Sequence, residues 1–185
     1  MRISGGEWCG RKIKVPPGDK VRPTQDRVRE ALFSMLMEVV PGAFWIDLFA
    51  GSGSVGLEAL SRGAQRVIWV DKDARNLALI RENIETLGAD AHEMACADVF
   101  RWLASAGTGL GADLIFADPP YILGKEQGFS KMLALAAERK VLKSGGLFIA
   151  EMPDIARAES VEGWSIERDR LYGHTRLVIY RRGEA

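Results

Sequence analysis

A strand-to-helix turn near residue 50 constrains this chain of 185 residues more than any other feature. The apolar run Phe44-Trp45-Ile46 leads into Asp47-Leu48-Phe49-Ala50-Gly51-Ser52-Gly53-Ser54-Val55-Gly56, after which Leu57, Ala59 and Leu60 keep helical spacing up to Gly63. Gly51, Gly53 and Gly56 make a G-x-G-x-x-G pattern, and Asp71 follows Gly51 by twenty residues, at the end of a second run from Arg66 to Val70. Glycines at such a turn let the backbone approach a ligand closely, and an acid at the second strand end accepts hydrogen bonds from ribose hydroxyls. A bare strand-to-helix turn also asks for glycine at positive φ. Three glycines together with the acid favour the ligand.

The rest of the chain repeats the same unit. Pro23-Thr24 offers an N-cap, Asp26 sits in the first turn, and Val28, Leu32, Met35, Leu36 and Val39 recur helically until Pro41-Gly42. Asp73 can cap a helix whose Leu77, Ile80, Ile84 and Leu87 form one stripe ahead of Gly88. A strand from His92 to Ala95, a short helix after Asp98 and the strand Leu114 to Ala117 come next. A helix with Phe129, Met132, Leu133 and Leu135 then leads through Gly145-Gly146 into the strand Leu147 to Ala150. Two late strands, Trp164 to Glu167 and Arg176 to Tyr180, read as an antiparallel hairpin at a sheet edge. The predicted fold class is α/β: a Rossmann-like, mostly parallel sheet with helices on both faces, an antiparallel C-terminal hairpin and a short basic N-terminal extension. In such sheets ligands collect beyond the carboxyl ends of the strands, near the switch point.

Composition narrows the class. Hydrophobic residues make up 47% and charged residues 27%, the balance of an ordinary globular domain. The longest uncharged stretch, Trp102 to Ala112, is 11 residues, short of the roughly 18 that suggest a membrane span. Met1 to Gly6 has no apolar h-region, which predicts a cytoplasmic protein without a secretory signal. Cys9 and Cys96, with His92 and His174, show no metal-ligand spacing, so neither a disulfide scaffold nor a metal site is expected. Net charge is zero but uneven: residues 1–30 carry +4 and the remainder −4. This asymmetry predicts a basic arm over residues 1–23, in front of a domain spanning 24–185, that binds RNA. Its candidate contacts are Arg2, Arg11, Lys12, Lys14, Arg22, Arg27 and Arg29, with Trp8 expected exposed as a stacking surface.

Carboxylates distinguish the possible ligands. A pyrophosphate at the helix after Gly53 would gain nothing from Asp47, whereas the ammonium and sulfonium of S-adenosylmethionine would be attracted to it. Asp98-Val99 follows the third strand, where a carboxylate can take the adenine amine and also cap a helix. The sharpest signal is Leu114-Ile115-Phe116-Ala117-Asp118-Pro119-Pro120-Tyr121. Two prolines hold that loop rigidly at the edge of the sheet. Asp118 and the Pro119 carbonyl can accept hydrogen bonds from an exocyclic base amine and so localise its lone pair for attack on a methyl group. Tyr121 can stack on the extruded base.

The glycine turn with Asp118-Pro119-Pro120-Tyr121 resembles the class I S-adenosylmethionine-dependent amino-methyltransferases. Two further stretches, Arg2-Ile3-Ser4-Gly5-Gly6-Glu7-Trp8-Cys9-Gly10-Arg11-Lys12-Ile13 and Arg22-Pro23-Thr24-Gln25-Asp26-Arg27-Val28-Arg29-Glu30-Ala31-Leu32-Phe33, are similar to the RsmD family, as is Leu171-Tyr172-Gly173-His174-Thr175. The resemblance spans essentially the whole chain. It implies an enzyme that methylates the N2 amine of one guanine in bacterial 16S rRNA within an assembling small subunit, and a monomer is expected. It also implies a cofactor set of Asp47, Phe49, Ala50, Gly51, Ser52, Gly53, Gly56, Asp71, Asp98 and Val99, and a catalytic loop of Asp118, Pro119, Pro120 and Tyr121. Cys9 replaces a usual basic residue, Asp71 a common Glu, and His174 a small polar or acidic residue. Two other functions share these motifs: amino-methylation of adenine or cytosine in another RNA or DNA, and nicotinamide-dependent hydride transfer.

Overall fold

Apolar runs of five or six residues, buried on both sides, pair in parallel and need a helix over each face. The computed structural model describes residues 1–16, 23–90, 92–105, 109–120 and 128–184 and shows that arrangement. The strands are β1 (Phe44–Leu48), β2 (Arg66–Asp71), β3 (His92–Cys96), β4 (Ala112–Ala117), β5 (Leu142–Pro153), β6 (Trp164–Tyr172) and β7 (Thr175–Arg182). The helices are α1 (Pro23–Met35), α2 (Ser54–Ser61), α3 (Ala74–Leu87), α4 (Val99–Ser105) and α5 (Gly128–Glu138). Sheet order is β3-β2-β1-β4-β5-β7-β6, so the chain reverses direction across the sheet between β1 and β4. All pairs from β3 to β5 are parallel, and β7 runs antiparallel to both β5 and β6.

Period-two alternation sends successive side chains to opposite faces. On β1, Trp45 joins the core under α1, α2 and α3, while Ile46 and Leu48 join the core under α4 and α5. Asp47 therefore faces the α2 side and is 2% exposed. On β4, Phe116 faces the same side, and Ile115 and Ala117 the other.

Several element boundaries differ from the sequence expectation. Helix α1 stops at Met35, and the stripe position Val39 is exposed. Strand β3 runs one residue further, to Cys96. Strand β5 begins at Leu142, so Gly145-Gly146 lies inside it, where the register with β4 shifts between Ala112 and Leu114. A glycine pair there accommodates a bulge rather than a strand start. Strands β6 and β7 are longer than predicted, because pairing with β7 carries the polar, largely exposed edge β6 through residues with no apolar alternation.

The N-terminal segment is not a free arm. Residues 1–13 close a small antiparallel hairpin through Ile3 N–H to Arg11 O at 3.0 Å, Gly10 N–H to Ile3 O at 2.9 Å and Ile13 N–H to Met1 O at 3.1 Å. Ile3, Trp8 and Ile13 belong to the same core cluster as Trp45 and Leu57. The buried Glu58 of α2 accepts from Ser4 N–H at 2.8 Å, Ser4 Oγ at 2.7 Å and Arg29 Nε at 3.3 Å, tying hairpin and α1 to α2. Gly6 is obligatory, since a Cβ would sit 1.9 Å from Ser61 O at a φ of +79°.

Candidate functional site

Five neighbouring strand ends each carry an acid at the carboxyl edge of the sheet. Asp98 follows β3, Asp71 ends β2, Asp47 lies near the end of β1, Asp118 follows β4, and Glu151 lies near the end of β5. Two cavities open along this edge. The first, about 260 Å³, is lined by Asp47, Ala50, Ser52, Arg29, Phe116 and Glu151 among others. The second, about 290 Å³, is lined by Asp71, Asn76, Asp98, Val99 and Pro120 among others. Phe49, Gly51 and Asp118 line both, so the two cavities meet there.

The glycine turn is built differently from a phosphate cradle. Gly51 N–H donates to Asp71 Oδ2 at 2.8 Å, Gly53 N–H to Ala50 O at 2.7 Å, and Gly56 N–H to Asp47 Oδ2 at 3.0 Å. These amides are already paired inside the protein, which removes them from the donor set that a pyrophosphate needs at a helix N-terminus. Gly51 alone of the three has room: a Cβ would find only Phe49 O, at 3.8 Å. A Cβ on Gly53 would meet Ile80 at 2.5 Å, and one on Gly56 the Trp69 indole at 2.3 Å. Gly53 and Gly56 were expected to admit a cofactor; in the structure they admit the neighbouring helix and strand. Phe49 holds a positive φ of 60°, a strained conformation that turns the chain at the junction of the cavities.

Each acid has a distinct environment. Burial, reinforced by the charges of Asp118 and Asp71, raises the Asp47 carboxyl well above the usual range despite the Gly56 amide. Asp118 stands open to the cavity mouths, yet protein surrounds it closely enough that loss of solvation pushes its carboxyl up to about 6. Asp71 also accepts from Asp73 N–H at 2.7 Å and Asn76 Nδ2 at 3.2 Å, so it holds the glycine turn and the start of α3 together. Asp98 Oδ1 accepts from Arg101 N–H at 3.0 Å, the expected helix-capping bond, and the residue still lines the second cavity. The raised Asp47 and Asp118 carboxyls gain from a cation placed between them. The cleft thus fits a ligand with an adenosine half, a positive centre and an ammonium group. Asp71, Asp98 and Val99 line the side suited to the adenosine, and Asp47, Ala50 and Ser52 the side suited to the amino-acid end.

The expected RNA contacts separate into groups. Trp8, expected exposed, is only 9% exposed because it packs in the core and its N–H bonds Ser61 Oγ at 2.9 Å. Arg29, expected on a phosphate, is 5% exposed and paired with Glu58 in the cavity wall. Arg11 donates to the Thr86 and Leu87 carbonyls at the end of α3, and Lys14 pairs with Glu82 at 2.9 Å. Arg2 donates to Gly10 O at 2.6 Å and is exposed, as are Lys12 and Arg27. Pro119 is half-buried beside Asp118. Tyr121 and Arg22 lie outside the described residues. Sequence reading missed Glu151, although an acid at the end of an apolar strand is the signal that identified Asp118.

Sheet order, glycine turn and acid-lined double cavity define a class I S-adenosylmethionine-dependent methyltransferase. The chain belongs to the family described as conserved hypothetical protein 95, whose model matches residues 1–181, as the RsmD resemblance implied. It is 33% identical to ribosomal RNA small subunit methyltransferase D of Escherichia coli (strain K12), over 98% of this chain and 90% of that protein. YlbH of Bacillus subtilis (strain 168) is 37% identical over 98% of this chain and 99% of its own length. The solved structure of yhhF from Escherichia coli superposes with a TM-score of 0.89 at 33% identity, covering 100% of this chain and 99% of that one. No helix among the described residues is long and apolar enough to cross a membrane.

Proposed function

We propose that this protein transfers a methyl group from S-adenosylmethionine to the N2 amine of a guanine in 16S rRNA. The observation that carries the reading is the position of Asp118, which lines both cavities between the adenosine side and the amino-acid side, with Glu151 lining the first cavity beside it. The small-subunit rRNA activity named for the Escherichia coli relative supports the substrate class. When bound, the cofactor supplies an electrophilic methyl on a positive sulfur.

Every other task falls to the chain. An aryl amine is a weak nucleophile because its lone pair is delocalised into the ring. Asp118 and the Pro119 carbonyl accept its two N–H bonds, pulling the pair out of conjugation and aiming it. These bonds strengthen as positive charge builds on nitrogen, so they favour the transition state over the ground state. The remaining contribution is orientation. Tyr121 supplies a stacking face for the extruded base, and Arg2, Lys12, Arg22 and Arg27 supply phosphate contacts. Bulky RNA must approach from the carboxyl edge, where the hairpin residues Met1 and Val15 line the first cavity. Residues 1–16 therefore act as a wall of the substrate site. Mass mapping of small-subunit rRNA from a strain lacking the gene, complemented with wild type or Asp118→Ala, tests the proposal. N2-methylguanosine should return with the first and not with the second; a modification on another base would refute it.

A further inference from the structure

Glu151 has no task in the chemistry above, yet it stands beside the residue that does. Ala117 and Ala150 are register partners, so the residues that follow them, Asp118 and Glu151, leave adjacent strand ends together. Both line the first cavity. Glu151 is half-buried, and no hydrogen bond from a described residue stabilises its charge; burial and the nearby charge of Asp118 push it up to about 8. Asp118, at about 6, loses its proton first. At neutral pH the pair thus presents one carboxylate, which only accepts, and one carboxylic acid, which both donates and accepts. Among the described residues, the charged groups sharing this cavity are Arg29 on α1, Asp47 on β1 and Asp118 after β4; the N-terminal hairpin brings Met1 with its α-amino group, and β7 opposes Glu151 with the uncharged Leu177. Arg29 is already engaged by Glu58.

A carboxylate next to a neutral carboxyl matches one base edge in full. Guanine shows, in order, the N2 amine, the N1–H donor and the O6 acceptor. With the amine on the carboxylate, the neutral carboxyl accepts N1–H and donates to O6. Adenine and cytosine, with their amines in the same place, follow with a ring-nitrogen acceptor and then a group that takes no second bond from the acid. We infer that Glu151 reads N1–H and O6 of the target guanine while Asp118 holds its N2 amine, so that the two side chains select guanine over adenine and cytosine. The inference rests on the guanine N2 reading above.

The test uses the full chain, unmethylated small-subunit rRNA and radiolabelled S-adenosylmethionine, with product nucleosides resolved by mass. Glu151→Ala should lower single-turnover methylation about 10- to 100-fold, the range for a lost bidentate base contact. Glu151→Gln, whose amide keeps one donor and one acceptor, should stay within about fivefold of wild type. Wild-type activity should decline as pH rises past about 8, where Glu151 loses its proton, and Glu151→Gln should not show that decline. Binding of S-adenosylhomocysteine by calorimetry should be the same in all three proteins. Glu151→Ala turning over like wild type, Glu151→Gln failing like Glu151→Ala, or Glu151→Gln retaining the alkaline decline would each overturn the inference. A wild-type protein that makes no N2-methylguanosine would overturn the functional reading itself, and this one with it.

Discussion

At the scale of single residues, two acids of one row are separated by what each touches. Among the described residues Asp118 holds no hydrogen-bond partner, and it faces both cavities, so Asp118→Ala should cost methyl transfer at least about a hundredfold. S-adenosylhomocysteine affinity should stay within a few-fold; radiolabel transfer and calorimetry on the same preparation give both numbers. Because the carboxylate must be ionised to accept from the amine, the acid limb of the kcat/KM profile should rise through about pH 6. Asp71 behaves differently, since its carboxyl already anchors Gly51, Asp73 and Asn76. Asp71→Ala should weaken cofactor binding by about 1.5–3 kcal/mol or more, a tenfold loss at least, with turnover at saturating cofactor less affected. Unchanged calorimetric affinity would exclude Asp71 from the cofactor site. The glycines show the same need for tertiary contacts: Gly51 lines both cavities, but only the positions of Ile80 and Trp69 reveal that Gly53 and Gly56 make room for protein.

Among the elements, the N-terminal hairpin departs most from a charge-based expectation. Eight cations in thirty residues suggest a basic arm with an exposed Trp8, but the interspersed Ile3, Trp8 and Ile13 bury themselves against α1 and α2. Trp8→Ala should therefore destabilise the whole domain by about 3–5 kcal/mol, measured by chemical denaturation. A mild loss, with RNA affinity reduced instead, would restore the stacking role. Deleting the hairpin strips Glu58 of its Ser4 partner and uncovers the core, so RNA binding is better tested at the surface. Lys12 and Arg27 are exposed, and Lys12→Ala with Arg27→Ala should leave the melting temperature within a few degrees of wild type. If both touch phosphates of single-stranded RNA, the slope of log affinity against log salt should flatten by roughly 1.4. An unchanged slope would move the RNA path to the β6–β7 hairpin, where Arg168 and Arg170 sit.

Across the molecule, the row of acids couples ligand binding to stability. Asp118 and Glu151 have folded-state carboxyls raised to about 6 and about 8, so the folded chain holds those protons more tightly than the unfolded chain does. Their contribution to stability is complete below the ordinary carboxylate range and is lost as pH rises through those values. Glu151→Gln should consequently stabilise the protein at pH 9, by roughly 1–3 kcal/mol, and do little at pH 4. Thermal melts at the two pH values check the sign.

Local rules acting over a few residues were enough for much of this. Helix α3, with Asp73 as cap and Gly88 at its end, strands β1, β2 and β4, and the placement of Asp47, Asp71, Asp98 and Asp118 at strand ends all follow from periodicity, capping and the strand-end rule. These depend on a residue and its immediate neighbours, which a sequence displays directly. The burial of Trp8 and Arg29, the bulge inside β5, the full length of β6 and the pairing of Glu151 with Asp118 depend on partners dozens of residues away. Burial is a property of what covers a side chain, and register is a property of two strands together. Only the folded chain brings those second partners into place.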